Sequence, residues 1–291
     1  MNSIIRLTRP YQWIKNVFVF MPMFFGGHLF DGEAWLLSVA AFLAFSFVAS
    51  SIYCYNDIID VADDRRHSVK CKRPIASGRV TIGQGYALHV LMLALAVLAC
   101  FIAGGRWAML LAVIMAYYVL DICYCRWLKR LAIVDVFVLS FGFVLRIFAG
   151  STATGIMASH WLVLMTFLLT LLLGFAKRRD DVERMLRFGE APRHNTKRYS
   201  ITFINHAVTV TAAVTVVCYI MYTMSLSNPD RPLLEYAYLT TVFVLLGLFR
   251  YMQLADIDGK TGDPTKLLYR DHFLQLTILL WIISYAVLLY M

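Results

Sequence analysis

The chain has 291 residues, of which 60% are hydrophobic and only 15% charged, and its formal net charge is +9. That length would suffice for two soluble domains, but a water-soluble domain cannot hide so large an apolar share. The composition therefore excludes a soluble globular protein in favour of a polytopic membrane protein.

Apolar runs occur at about 12–30, 34–55, 84–104, 107–125, 133–153, 160–176, 205–226, 234–252 and 272–290. At about 20 residues per crossing they predict about nine transmembrane helices, an all-α fold forming one integral membrane domain over residues 1–291. Arg6, Arg9 and Lys15 stand at the first run as they would in a signal peptide, but no small-x-small cleavage site leads into a soluble domain, so the run is expected to be retained. Its entry, RPYQWIKN, puts Lys15 and Asn16 at the start of a span, where they are candidates to face a polar cavity.

Between the second and third runs lies the densest polar stretch, NDIIDVADDRRHSVKCKRPIASG, from Asn56 to Gly78. Asp57, Asp60 and Asp64 fall at spacings of three and four, so on a helix their carboxylates line one face and can together hold a hard cation. Arg65, Arg66, Lys70, Lys72 and Arg73 follow at once. A Mg-diphosphate ligand requires both groups, because carboxylates hold Mg²⁺ while cations hold phosphate oxygens. A positive-inside loop would explain the Lys and Arg, but not acids at helical spacing.

Asp121 and Arg146 lie within later runs. An ionisable group at membrane depth is a functional candidate by default, although near a helix end it can also snorkel outward. YCRWLKRLAIVD, from Tyr124 to Asp135, joins the fourth and fifth runs and contributes Tyr124, Lys129 and Asp135; an ordinary cytoplasmic turn accounts for its cations but not for Asp135. The sixth run ends in Lys177, Arg178 and Arg179, followed by Asp180, Asp181 and Glu183, a pattern equally compatible with a salt-bridged surface helix. Near the last span, Asp256, Asp258 and Asp263 sit among glycines, but their spacing fails the EF-hand pattern, so calcium is not expected.

Lys and Arg collect at alternate ends of the runs, leaving only Arg106 and Arg231 at the others. The asymmetry places the N-terminus and the long polar loops in the cytoplasm, and an odd number of spans places Met291 outside. The positive charge thus faces anionic headgroups and phosphorylated substrates, and no nucleic-acid partner is expected. The six cysteines contain no C-x-x-C pair and read as reduced packing residues, and the scattered histidines are assigned no chemistry. Apolar helix surfaces look alike whether they meet lipid or another subunit, so a homo-oligomer stays open.

NDIIDVADD resembles the N-D-x-x-D-x-x-x-D motif of the UbiA superfamily of intramembrane prenyltransferases, whose members have about nine helices around a cytoplasm-facing cavity. RPYQWIKN, HSVKCKRPIASG, the FAKRRDD turn and FRYMQLADIDGKTGDP are similar to the bacterial decaprenyl-phosphate phosphoribosyltransferase branch, and together extend over nearly the whole chain. One departure from the wider superfamily favours that branch. Its members carry a second Asp-rich motif between spans six and seven, where this chain has Ala176, Lys177, Arg178 and Arg179.

The resemblance implies a bacterial inner-membrane enzyme transferring 5-phosphoribose from 5-phosphoribosyl 1-diphosphate to a polyprenyl phosphate. Asp57, Asp60 and Asp64, with Asn56 assisting, would hold Mg²⁺, with Mn²⁺ as a possible substitute. Arg65, Lys70, Lys72 and Arg73 are candidates for the diphosphate, and Lys177, Arg178 and Arg179 for the 5-phosphate or the lipid phosphate. Lys15, Asn16, Tyr124, Lys129, Asp135 and Arg146 complete the candidate substrate-binding set. Two rivals remain: prenyl transfer to an aromatic acceptor, and membrane transport.

Overall fold

A computed structural model describes residues 3–67, 69–189, 194–226, 232–256, 267 and 270–290. Every regular element among them is helical. In chain order these are α1 (Ser3–Thr8), a 3₁₀ helix (Pro10–Phe20), α2 (Met21–Phe25), α3 (Gly32–Ile59), α4 (Val61–Arg66), α5 (Ile82–Phe101), α6 (Trp107–Arg126), α7 (Val134–Thr154), α8 (His160–Phe188), α9 (Ile201–Met224), α10 (Thr241–Asp256) and α11 (His272–Tyr290), with short 3₁₀ turns between several of them. Eight spans among the described residues are long and apolar enough to cross a membrane: α3, α5, α6 with its preceding turn, α7, α8, α9, α10 with the preceding 3₁₀ helix Pro232–Thr240, and α11. The protein is a multi-pass membrane protein.

The first apolar run is where the helices differ from the expectation. It forms no long α-helix, but an unusually long 3₁₀ helix followed by the five-residue α2. Pro22 has no amide to donate into an α-ladder, and the Met21 amide bonds to the Phe18 carbonyl, three residues back. Trp13, Asn16 and Val19 recur every third residue, one face of a 3₁₀ helix, and that face lies along α3. Arg9 pairs with Asp57, Trp13 donates to Ser50 (3.0 Å), Asn16 donates to Ser46 (2.9 Å), and Met23 accepts from Ser38 (3.8 Å). The residues from Arg9 to Met23 therefore cover the same length as Ser38 to Asp57, about 28 Å at 1.5 Å per α-helical residue. That requires about 2.0 Å per residue on the N-terminal side, the rise of a 3₁₀ helix.

Two compact units form, Met1–Leu128 with Gly142–Ala158, and Lys129–Phe141 with Ser159–Met291. In the first, α3 is the central helix. Its Ala41, Ala44 and Ala49 pack with Ala96, Ala99 and Cys100 of α5 and with Leu110 and Ile114 of α6, small residues that let helix backbones approach closely. A side chain at Gly150 of α7 would run into the Val19 carbonyl, so the 3₁₀ helix can lie against α7 only because that residue is glycine. Asp31 caps α3 by accepting from the amides of Glu33 and Ala34, and Thr81 with Gln84 forms a capping box at α5.

In the second unit, Leu171, Leu172 and Phe175 of α8 pack with Val136 of α7, Ile204 and Val208 of α9, Leu248 of α10 and Leu274 of α11. α8 runs twelve residues past its apolar run, because Arg178, Asp180 and Asp181 satisfy one another's charge or that of helix neighbours. Tyr222 and Tyr285 share a hydroxyl hydrogen bond, and Trp281 donates to Tyr219 (2.7 Å), tying α9 to α11.

Candidate active site

Asp57 lies in the last turn of α3 and is 1% exposed, while Asp64 lies in α4 and is 2% exposed. Backbone bonds from Asp60 to Asn56 (2.9 Å) and from Asp64 to Asp60 (2.8 Å) carry helical register across the α3–α4 junction. The two outer carboxylates thereby meet. Arg73 Nη1 is 3.3 Å from Asp57 Oδ1 and 2.7 Å from Asp64 Oδ2, and Arg9 also pairs with Asp57 Oδ1. Asp60 and Asn56 are half-buried beside them.

Among the described residues no three His, Cys, Asp or Glu side chains come close enough to hold a metal ion, and guanidinium groups pair with Asp57 and Asp64. The residues nevertheless fit one. Asp57 Oδ2 is buried and has no hydrogen-bond partner, which is costly for a carboxylate oxygen unless a cation is to meet it. Oxygen donors of this kind suit Mg²⁺ or Mn²⁺.

The loop after α4 aims Arg73. Ile75 and Val80 are buried with Leu7, Cys54, Ile58 and Leu88, and a side chain at Gly85 would come within 2.9 Å of Ile75. Burying Ile75 contributes about 1.5–3 kcal/mol to pinning this loop. Gly78 takes a positive φ of 76° to turn the chain back toward α5. Arg65 donates to the Ala76 carbonyl (3.3 Å), while Lys70 is half-buried and Lys72 exposed. On the opposite side, Arg9 holds a left-handed backbone with φ 50°. That conformation is unfavourable for a non-glycine residue by about 1–2 kcal/mol, and here it accompanies the contact with Asp57.

Deeper in the same unit, Arg146 is 5% exposed. Its Nε donates to Asn16 Oδ1 (2.8 Å), Nη1 to the Gly142 carbonyl (2.7 Å) and Nη2 to the Tyr117 hydroxyl (3.3 Å). Its guanidinium lies 4.6–5.1 Å from the ring centres of Phe45, Phe143 and Tyr117. Asp121 follows Tyr117 by four residues, one turn further along α6. Asn16 is thus a buried partner of Arg146, whereas Lys15 is half-buried on the other side of the 3₁₀ helix, and Tyr124 is half-buried on α6.

The second unit holds another part of the expected binding set in ion pairs and hydrogen bonds of its own. Arg178 is 1% exposed, with Nε 2.7 Å from Asp135 and Nη1 3.0 Å from Asp181. Asp135, 0% exposed, also accepts from the Tyr199 hydroxyl (2.7 Å), and Tyr199 in turn accepts from the Ile133 amide (2.6 Å). Burial pushes the Tyr199 phenol up, so at neutral pH it stays a proton donor. Arg179 bonds to Asn205 (3.0 Å), Glu183 (3.0 Å) and the Ala255 carbonyl. Arg178 and Asp135 accordingly form a buried ion pair, and Arg179 is engaged within its own unit. Lys177 and Lys129 are half-buried. Arg179, Asn205 and Tyr251 line a cavity of about 60 Å³. Asp258 and Asp263 lie outside the described residues.

In the sequence Arg9 reads as a topological charge, and Tyr117 and Tyr199 carry no signal. Arg9 opens the RPYQWIKN entry, directly before its proline, and that is the available signal. The tyrosines are indistinguishable in sequence from those that fill gaps between helices.

Eight apolar helices of this length among the described residues, with acidic and basic side chains buried between them, define an integral membrane protein. The chain belongs to the UbiA prenyltransferase family, whose profile matches residues 17–283, and it is a transferase. It is 31% identical to a decaprenyl-phosphate phosphoribosyltransferase of Corynebacterium glutamicum over 99% of this chain and 87% of that protein. It is 32% identical to the protein of the same description from Mycolicibacterium smegmatis, over 97% of this chain and 90% of that one. The fold is similar to a UbiA homologue from Archaeoglobus fulgidus bound to DMAPP and Mg²⁺, with a TM-score of 0.73 and 16% identity over 99% of each chain.

Proposed function

We propose that this protein transfers 5-phosphoribose from 5-phosphoribosyl 1-diphosphate to a decaprenyl-like polyprenyl phosphate, in a reaction dependent on Mg²⁺ or Mn²⁺, at the cytoplasmic face of a bacterial membrane. The buried, unpartnered Asp57 Oδ2 beside Asp64 and two arginines carries the reading. It provides carboxylates for a cation and guanidinium groups for phosphate oxygens within one cluster. The phosphoribosyltransferase relatives support the choice of donor, as does the 176–184 stretch, where Asp181 pairs with Arg178 and Asp180 with Arg184.

In this reading Asp57, Asp60 and Asp64, with Asn56, hold the divalent ion. An ion bound there would supply positive charge to offset the charge developing on the departing diphosphate. Arg73 and Arg9 exchange their carboxylate partners for diphosphate oxygens, assisted by Arg65, Lys70 and Lys72. An oxygen of the lipid phosphate forms a bond to the anomeric carbon as that carbon's bond to the diphosphate oxygen breaks, and diphosphate leaves with the electron pair. The attacking oxygen is already anionic near neutral pH, so no general base is needed. Direct displacement inverts the anomeric carbon. Lys177 remains the candidate of its run for a phosphate contact.

The test is product analysis with purified protein, Mg²⁺, donor labelled in the ribose, and a polyprenyl phosphate. Label extracted into organic solvent supports the reading. Transfer only from a prenyl diphosphate to an aromatic acceptor, or uptake into vesicles without product, replaces it.

A further inference from the structure

Arg179 borders a cavity that the transfer chemistry leaves unused. It is 8% exposed on α8, and three helices of the second unit hold it. Its Nε donates to Asn205 Oδ1 on α9 (3.0 Å), its Nη1 lies 3.0 Å from Glu183 one turn further along α8, and Nη1 also donates to the Ala255 carbonyl near the end of α10. The cavity between these helices measures about 60 Å³. Tyr251 of α10 also lines it, is 5% exposed, and has a buried hydroxyl with no hydrogen-bond partner. Such an orphan in a membrane-spanning helix is costly unless something fills the space and accepts its proton.

The walls define the occupant. Asn205 Oδ1 is taken by Arg179, so the Asn205 side-chain amide stands with the guanidinium and the Tyr251 hydroxyl as donors. Glu183 is not among the lining residues, so the wall carries the positive member of that ion pair and not the negative one. An excess of donors with a positive charge calls for an oxyanion. Size narrows the choice, since 60 Å³ is about the liquid volume of two waters and well under the roughly 300 Å³ of a pocket for a drug-sized molecule. A compact head fits and an isoprenoid chain does not. Position narrows it further. Arg179 stands where α8 passes from its apolar run into the charged stretch 177–183, and the lining residue Thr209 is exposed beside the exposed, apolar Val210. The opening is therefore at the polar margin of a span, the depth of lipid phosphates.

We propose that this cavity is a phosphoryl-binding site, in which Arg179 and the Asn205 amide hold the oxyanion and Tyr251 donates its unused proton. The phosphoryl group is either free in solution or carried on a lipid head. None of the lining residues belongs to the Asp57 cluster, and Lys177 is not on the wall either. The site is thus additional to those of the transfer reaction, and its occupancy does not depend on which donor the enzyme uses.

The experiment follows thermal unfolding of the full chain in metal-free, phosphate-free dodecyl maltoside, titrated with inorganic phosphate or with dodecyl phosphate. The wild type should be stabilised saturably by one or both, giving an apparent Kd. Tyr251→Phe removes only the hydroxyl, so without ligand it should melt no lower than the wild type. Its apparent Kd should rise about 10- to 100-fold, the range for a hydrogen bond to a charged group. Asn205→Asp keeps the acceptor for Arg179 and sets a negative charge against the oxyanion. It should raise Kd at least as far, and it carries the test if Tyr251→Phe folds poorly. Stabilisation by inorganic phosphate identifies a free-phosphate site, and stabilisation by dodecyl phosphate alone identifies a lipid head. Equal Kd in the wild type and both variants would overturn the inference by placing the phosphate elsewhere. No saturable response to either probe would overturn it by leaving the cavity to water.

Discussion

Arg73 stands between Asp57 and Asp64, its Nη1 3.3 Å from the first carboxylate and 2.7 Å from the second. One guanidinium thus holds together two like charges that would otherwise repel, while Asp57 Oδ2 keeps no hydrogen-bond partner. Arg73→Gln should consequently separate stability from metal affinity. The metal-free protein should melt at a lower temperature, Mg²⁺ should stabilise the variant at least as strongly as the wild type, and turnover should fall. A melting series over Mg²⁺ concentration checks this, and a variant that no longer responds to Mg²⁺ would assign Arg73 a different role.

Neutralising the carboxylates should act on the metal directly. Asp57→Asn or Asp64→Asn keeps the side-chain shape and should lower turnover by at least about 100-fold, comparable with loss of a main electrostatic stabiliser. At a free donor and metal concentration 100 times Kd, the wild type should gain about 2.7 kcal/mol of stability, and Asp57→Asn should lose most of that gain. Full activity in excess chelator with intact protein would refute the metal assignment.

Arg178 should behave as part of the core. Removing it leaves Asp135 and Asp181 as buried charges without their partner, so Arg178→Gln should destabilise the second unit by about 3–5 kcal/mol. Replacing Arg178 and Asp135 together with apolar residues should recover part of the loss. By contrast, Lys177→Gln should leave melting within about 0.5 kcal/mol. A well-folded Arg178→Gln enzyme with a raised donor KM would return Arg178 to the binding set.

Asp271 offers a test by pH. Hydrogen bonds from Arg250, two of them at 2.6 and 3.2 Å to the same oxygen, hold its carboxyl below the usual carboxylate range. Because the folded pKa is depressed, the stabilisation is present above the unfolded value and is lost as pH falls through the folded one. Asp271 also accepts from the Leu274 amide (2.8 Å) at the start of α11, a cap that Asn can reproduce. Asp271→Asn therefore isolates the charge. It should cost about 0.2–1 kcal/mol at neutral pH, with the gap closing below about pH 4, whereas Asp271→Ala should cost about 1 kcal/mol more by losing the cap. Thermal unfolding at several pH values reads both.

Much of the fold was legible because a bilayer allows few solutions. Apolar runs of about 20 residues became helices at nearly the predicted places, and the three-and-four spacing of the aspartates put Asp57 and Asp64 on a shared guanidinium. The extension of α8 was not legible, because hydropathy reads Lys177 to Glu183 as a surface stretch although long-range partners such as Asp135 and Asn205 bury its arginines. Those partners lie 43 and 26 residues away, and nothing local encodes them. The 3₁₀ form of the first run was missed for a related reason, since its every-third-residue contacts appear only once α3 lies beside it.

That first segment has a consequence for how the chain is threaded through a bilayer. Arg9 and Asp57 lie at one end of its alignment with α3, and Met23 and Ser38 at the other, about 28 Å away at 1.5 Å per residue of α3. This nearly equals the hydrocarbon thickness, about 30 Å. The segment thus runs antiparallel to α3 over that length, with too few residues for a search based on α-helical rise. A topology counted only from the eight long helices has even parity and leaves both ends of the chain on one face. Counting this segment as a crossing makes the parity odd, so a reporter fused after α11 is expected to read the face opposite Arg9, and a signal from the same face would remove the segment from the count.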